Sequence, residues 1–304
     1  MKHLVNVIAW RRPDFFAATL ERLRLADRPD VRYRICIDYE PDPYVAPLAQ
    51  CFRFDLGVDR VDLIHRGWCK NQGPTRNIVA ALHESLAREP DDDTLIHWIE
   101  DDIFVHREYF LFHESAHELV PDAFSVTACN PNGFPRTHPD LFPKVSWWPG
   151  SPTVGVSFRP ETVRLITSLL PISYMDDPVQ HIRTTFPHHG CPPDQWSGID
   201  GALGRVMSTT DRRPVYPFVG RAYHAGFVGA PCENEACNNE NTRDGINNGP
   251  HRHGTPVPGA TLQERRDYLL SLDAEGLNAH ATTIGDHVWY DLDISYGPAL
   301  ELTT

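Results

Sequence analysis

The apolar positions in the first half of the chain change period in a regular order. LVNVIAW (4–10), RYRICIDYE (32–40), VDLIHR (61–66) and TLIHWI (94–99) are short apolar or alternating runs of strand type. Helical periods lie between them. The run 14–26 places Phe16, Leu20 and Leu23 on one face, and Pro13 suits a first turn. The stretch 42–52 reads as a short helix interrupted by proline, and 74–88 as an amphipathic helix with Pro74 near its start. A helix over 107–119 and a strand over 124–131 follow. This alternation predicts a layered α/β sandwich, Rossmann-like, around a central, mostly parallel sheet. Ligands of such sheets sit beyond the carboxyl ends of the strands. Asp38, the loop 70–77 and the run Glu100–Asp101–Asp102 all fall at or after such ends.

Beyond residue 131 the pattern loosens. Residues 132–152 are rich in Pro, Gly and aromatics, and include Trp147 and Trp148. A strand over 153–160, a helix over 161–171 stopped by Pro171, and a helix over 195–209 weakened by Gly198, Gly201 and Gly204 are expected. The stretch 232–258 is dominated by Asn, Gly, His and Pro, and 262–272 returns to helical spacing. No internal repeat is seen. The expected division is a ligand-binding α/β half (1–131) and a loop-rich second half (132–304) within one continuous domain.

Composition narrows the classes. With 304 residues and 41% apolar content, the chain is long enough for a sizeable core. The formal net charge of −13 argues against general affinity for nucleic acid or anionic membrane. Lys2, Lys70 and Lys144 are the only lysines, so arginine carries almost all the positive charge. Seven scattered cysteines do not form a disulfide framework. No signal peptide and no apolar run of membrane-spanning length is recognised, so a soluble, cytoplasmic protein is expected.

The candidate chemistry centres on TLIHWIEDDIFV (94–105), where a buried-type strand ends in Glu100, Asp101 and Asp102. Three adjacent like charges need a cation or backbone donors to meet them. Regular strand alternation would aim Glu100 and Asp102 to one side and Asp101 to the other. His97 faces away from Glu100 and reads as structural. Arg11 and Arg12 follow the first strand, within reach of a base or phosphate. Asp38 ends a strand, the alternative being a turn-forming role. Arg76 and Asn77 open a helix near the same rim, with capping or solvent exposure as the alternative. Trp147 and Trp148 suit either a sugar- or base-stacking wall or a core seal. Cys232 and Cys237, with His224, His251 and His253, offer soft ligands in a spacing unlike a standard zinc knuckle. His251 and His253 also lie in a stretch that could fold over a bound nucleotide.

These segments together resemble the GT-A class of nucleotide-sugar glycosyltransferases. VIAWRRPDFFAATLERL is similar to the class's first strand, Arg-Pro turn and helix. CIDYE is similar to its second strand with a nucleotide-contacting Asp, and NQGPTRNIVAAL to the segment before its metal motif. WIEDDIFVHREYF resembles the Glu-Asp-Asp version of the DxD motif found in N-acetylglucosaminyltransferase I-like enzymes, and the inverting family 2 enzymes are also similar. QWSGIDGALGRVM and VGRAYHAGFVG resemble, more loosely, the acceptor-side segments.

The resemblance implies transfer of a sugar from a nucleotide diphosphate-sugar to an acceptor hydroxyl, with inversion, assisted by Mn²⁺ or Mg²⁺. Asp102 would hold the metal, with Glu100 as a further ligand or orienting its neighbours, and His224 as a further ligand or a diphosphate contact, the alternative being a turn histidine. Asp101 would receive a ribose or sugar hydroxyl, and Asp38, Arg11, Arg12, Arg76 and Asn77 would line the nucleotide site. Asp200 would be the general base, with Asp194 as its rival. The acceptor is open and includes glycans, small molecules and a modified nucleobase. A non-catalytic carbohydrate- or nucleotide-binding protein and a metal-dependent phosphohydrolase are the competing readings. A Rossmann dehydrogenase is disfavoured because AWRRPD replaces its glycine-rich turn.

Overall fold

The structure is a computed structural model. It describes residues 1–39, 41–67, 73–88, 90–129, 144–147, 154–190, 192–194, 198–217, 220–224 and 290–291. Trp148, Cys232, Cys237, His251, His253, the stretch 232–258 and the expected helix 262–272 lie outside the described residues. Among the described residues no helix is long and apolar enough to cross a membrane.

The chain runs β1 (Lys2–Ala9), α1 (Pro13–Ala26), β2 (Val31–Ile37), α2 (Val45–Leu56), β3 (Val61–His65), α3 (Gly73–Leu86), β4 (Thr94–Glu100), β5 (Ile103–Val105) and α4 (Tyr109–Leu119). Then come β6 (Val126–Thr127), β7 (Lys144–Trp147), β8 (Val156–Phe158), α5 (Pro160–Leu169), a 3₁₀ turn (Ile172–Asp176), α6 (Pro178–Thr185), α7 (Ile199–Met207), β9 (Val215–Pro217), β10 (Ala222–His224) and β11 (Tyr290–Asp291). Among the described residues, one nine-stranded sheet has the order β11-β7-β9-β6-β8-β4-β1-β2-β3, and β5 and β10 form a separate antiparallel pair.

The four strands β3, β2, β1 and β4 are parallel. Beyond β4 the sheet is mixed, because β8 runs antiparallel to both β4 and β6, and β7 antiparallel to β9 and β11. The fold is therefore an α/β sandwich with a mixed sheet, parallel through its N-terminal half. Strands from both sides of residue 131 share that sheet.

Helices cover both faces, so the central strands are apolar on both sides. On one face Val5, Val7 and Ala9 of β1 pack with Phe16, Leu20 and Leu23 of α1 and Phe112 and Ala116 of α4. On the other, Ile8 of β1 and Ile96 and Trp98 of β4 pack with Ile78 and Leu82 of α3, Val163 and Ile166 of α5 and Ala202 and Leu203 of α7. Complete burial of a side chain such as Phe16 or Leu23 contributes about 2–3 kcal/mol.

Strand order fixes where a ligand can go. β2 and β3 extend to one side of β1, and β4 to the other. The order therefore reverses between β1 and β4, and the carboxyl ends of these two strands flank the resulting crevice.

Candidate functional site

The crevice is built from the ends of β1 and β4. β1 ends at Ala9, and Trp10–Arg12 lead into α1, whose first residue is Pro13. Proline is suited there because its missing N–H would have no helical partner. Arg12 occupies the N-cap position with φ −117° and ψ 70°, and its side chain makes no cap hydrogen bond. It reaches instead across the crevice. One guanidinium nitrogen donates to Asp101 and the other to Asp102, residues 89 and 90 positions away in the chain. Both carboxylates are buried, at 5% and 1% side-chain exposure, whereas Arg12 is 25% exposed.

The local geometry departs from regular strand alternation. β4 ends at Glu100, Asp101 and Asp102 form a turn, and β5 begins at Ile103. The expectation that Asp101 would point away from Asp102 is corrected, because the turn abolishes the alternation and both converge on one guanidinium. The turn is anchored to α1. Thr19 Oγ1 donates to the Asp101 carbonyl (2.8 Å), and the Trp10 backbone N–H donates to Asp101 Oδ2 (3.3 Å). Burial and the neighbouring Asp102 charge hold the Asp101 carboxyl above its ordinary range, against the lowering effect of Arg12. Burial alone would lower the Arg12 pKa, but Asp101, Asp102 and Glu100 outweigh it and raise it.

The other residues of the rim are placed by the same strand ends. The Asp38 backbone N–H donates to the Ala9 carbonyl (3.0 Å), and its Oδ1 accepts from the Tyr39 N–H (2.7 Å). Asp38 is buried, beside the end of β1. Trp10 Nε1 donates to the Tyr39 carbonyl (2.9 Å), and the exposed Arg11 lies 4.5 Å from the centre of the Trp10 ring. Asn77 is committed to the scaffold. It donates to the Cys36 carbonyl (2.9 Å) and accepts from Arg66 Nε (2.8 Å), tying α3 to β2 and to the residue after β3. Arg76 is ion-paired with Asp176.

Two segments of the second half pack against β5 and α3. β10 pairs with β5 so that the His224 backbone lies opposite Ile103, the residue after Asp102. A Cβ at Gly198, the N-cap of α7, would lie 3.9 Å from Thr75 Oγ1 on the first turn of α3. Asp200, exposed on the first turn of α7, is thereby set near the start of α3. Asp194 is also exposed. The Trp147 backbone lies on β7, opposite Val215 of β9.

Arg12, Asp38, Asp101 and Asp102 thus lie along one rim. Trp10, Thr19 and Arg66 belong to it as well, although sequence pattern did not single them out. Thr19 was recoverable, since Arg12, Phe16 and Thr19 follow the i, i+4, i+7 spacing of one helical face.

The donor set suits a hard divalent cation. Two buried carboxylates already share one cationic group, and the Arg12 guanidinium stands in for the positive charge they require. Magnesium-type sites commonly use one or two carboxylates and complete their shell with water and substrate phosphate. Glu100, Asp101 and Asp102 do not form a three-ligand group. Among the described residues such a group, with ligand atoms within 4.8 Å of one another, occurs at His3, Asp30 and Glu114.

That cluster could coordinate a divalent metal, but it lies at the amino ends of β1 and β2. The six residue steps along β1 from His3 to Ala9 put it roughly 20 Å from the crevice. Arg28 already donates to Glu114 (2.8 and 3.1 Å) and Asp30 (2.9 and 3.2 Å), and the Met1 ammonium to Glu114 (3.3 Å). Its position sets it apart from the crevice.

No family model and no curated protein matches this chain. Solved structures do. Crystal structures of S. aureus TarS are similar at 11% identity and a TM-score of 0.46, covering 71% of this chain and 36% of that one. TarS 1-349 in complex with UDP is similar at 12% identity and a TM-score of 0.46, covering 88% and 78%. The mannosyltransferase PcManGT from Pyrobaculum calidifontis, in complex with GDP-Man and Mn2+, is similar at 13% identity and a TM-score of 0.39, covering 60% and 52%. The chain spans about a third of the length of the full TarS chain. These likenesses concern partial shape alone.

Proposed function

We propose that the chain is a glycosyltransferase of the GT-A kind that moves a sugar from a nucleotide diphosphate-sugar to an acceptor hydroxyl. One observation carries the reading. Two buried carboxylates, Asp101 and Asp102, meet a single cationic group in the crevice where the strand order reverses within the parallel half of the sheet. That is where an α/β sheet takes a nucleotide, and a buried acidic pair is the donor set that a phosphate-bound divalent cation requires.

Asp102 and Asp101 would hold Mn²⁺ or Mg²⁺, which when bound neutralises charge developing on the leaving diphosphate. Asp38 accepts from the ribose or base, beside Trp10 and Arg11. Arg12 and Arg76 offer guanidinium donors to phosphate oxygens. Asp200 takes the proton of the acceptor hydroxyl as that oxygen attacks the anomeric carbon from the face opposite the diphosphate, inverting the centre. Glu100 adds negative field at the same turn, and His224, whose backbone lies opposite Ile103, would supply a further ligand or diphosphate contact. Trp147 and Trp148 would wall the sugar.

The test is release of nucleoside diphosphate from a panel of UDP-, GDP-, dTDP- and CDP-sugars in Mn²⁺ and in EDTA. The reading expects metal-dependent release from one nucleotide class. No release from any donor, with nucleotide binding intact, would leave a binding protein instead.

A further inference from the structure

The position of Arg12 carries a consequence for how the crevice fills. We propose that Arg12 is a displaceable internal counter-ion. Its guanidinium holds Asp101 and Asp102 until a divalent cation arrives with a nucleoside diphosphate, and the freed guanidinium then binds that diphosphate. The inference rests on the donor-site reading above.

Three observations support it. First, one guanidinium spans both carboxylates, so Arg12 and a metal ion compete for the same oxygens. Second, Arg12 is the solvent-facing member of the cluster, at 25% side-chain exposure against 5% and 1% for its partners. It closes the carboxylate pair from the outside. Third, it sits at the N-cap of α1 without acting as a side-chain cap, and the Phe16 N–H bonds to its backbone carbonyl (2.9 Å). The helix start is therefore held by its main chain, and the side chain can swing by rotation about its own bonds.

Charge counting gives the direction. One guanidinium faces two carboxylates, with Glu100 adding to the negative field. A divalent cation matches the pair more closely and leaves the Arg12 charge over, at a helix N-terminus where a diphosphate is favoured. The exchange would couple the two ligands. Metal alone must displace Arg12 from both carboxylates, whereas metal with a diphosphate gives the guanidinium a new anionic partner.

The experiment titrates Mn²⁺ into the full chain, followed by electron paramagnetic resonance, for wild type, Arg12→Gln and Arg12→Lys, without and with UDP or GDP. Without nucleotide, Arg12→Gln is expected to bind Mn²⁺ about tenfold or more tightly than wild type, the scale of a lost charge-assisted hydrogen bond. With Mn²⁺ present, it is expected to bind the responding nucleotide about tenfold more weakly. Arg12→Gln should also melt lower in EDTA and recover in Mn²⁺. If it does not fold, Arg12→Lys decides, because an ammonium cannot span both carboxylates as the planar fork does. Tighter Mn²⁺ binding by Arg12→Lys than by wild type supports the proposal.

Unchanged or weaker Mn²⁺ affinity in the folded Arg12 variants overturns the proposal. The donor-site reading still stands if Asp102→Asn removes metal-dependent nucleotide binding from the wild-type background. Failure of that reading appears separately, as indifference of nucleotide binding to both EDTA and Asp102→Asn.

Discussion

Acidification tests the core through its buried histidines. His97, His113 and His117 are fully buried between α4 and the sheet. His113 Nδ1 and His117 Nε2 both meet Ser157 Oγ (2.6 and 2.9 Å), and His97 meets His3 (2.9 Å) and the Tyr109 hydroxyl (3.2 Å). Arg28 and Glu114 flank the group through His3, and Arg159 donates to the His117 carbonyl (2.8 Å). Burial first, and then the positive charge of neighbouring histidines, pushes His97 and His113 well below the ordinary range. Burial and Arg159 push His117 down to about 3.

These folded-state values lie below the unfolded value of 6.5. Below that pH the unfolded chain therefore takes up protons that the folded chain refuses. Stability is full above about pH 6.5 and falls as pH drops towards the folded values. Each group contributes a limiting slope of about 1.4 kcal/mol per pH unit well below pH 6.5 and about half that at pH 6.5, so three lagging together lose about 3 kcal/mol from pH 6.5 to 5.5. Between pH 6.5 and 5.5 that is a large share of a typical stability of about 5–15 kcal/mol. Glu114, held at about 2 because its bonds to His3 and Arg28 outweigh its burial, keeps its contribution above about pH 4.5. It loses that contribution only as pH falls towards 2, outside the histidine window. Urea unfolding followed by circular dichroism at pH 7, 6 and 5.5 is the assay. The midpoint should fall steeply, and His117→Gln, which can still bond Ser157 Oγ, should lower the slope by about one proton. A flat midpoint over that range, or an unchanged slope in the variant, would refute the reasoning.

Other outcomes follow from the fold and the site. Gly155 has φ +60°, and a Cβ there would lie 2.9 Å from the Ala222 Cβ and 3.3 Å from the Tyr109 ring. Gly155→Ala should therefore cost about 1–3 kcal/mol in urea unfolding. Thr19→Val removes the bond to the Asp101 carbonyl and should cost about 1 kcal/mol by the same assay. Asp200→Asn should lower the rate of sugar transfer by about 100-fold or more while leaving nucleotide affinity unchanged, read by steady-state kinetics and calorimetry.

The parallel half of the fold was legible because its strands and helices are long enough to show a period. β1, α1, α3 and β4 match their predicted positions to within a few residues. The three-residue strands β5, β9 and β10 are too short to show alternation, and their partners lie far away in the chain, as at Val126 and Val215 or at Ile103 and His224. α6 went unrecognised although Asp177 caps it and Pro178 opens it. In the site, strand ends located Asp38, Asp101 and Asp102. The partner of the two carboxylates was not readable, because Arg12 meets them only after β1 and β4 have paired. Their common direction was not readable either, since alternation holds only while the chain stays in a strand.

The most direct test of the central claim is calorimetric titration of UDP, GDP, dTDP and CDP into the full chain, with Mn²⁺, with EDTA, and with Asp102→Asn. Binding of one nucleotide that needs Mn²⁺ and is lost in Asp102→Asn is the predicted result. Nucleotide binding indifferent to both metal and Asp102, or no binding by a folded chain, would contradict the assignment of the crevice as a metal-dependent donor site.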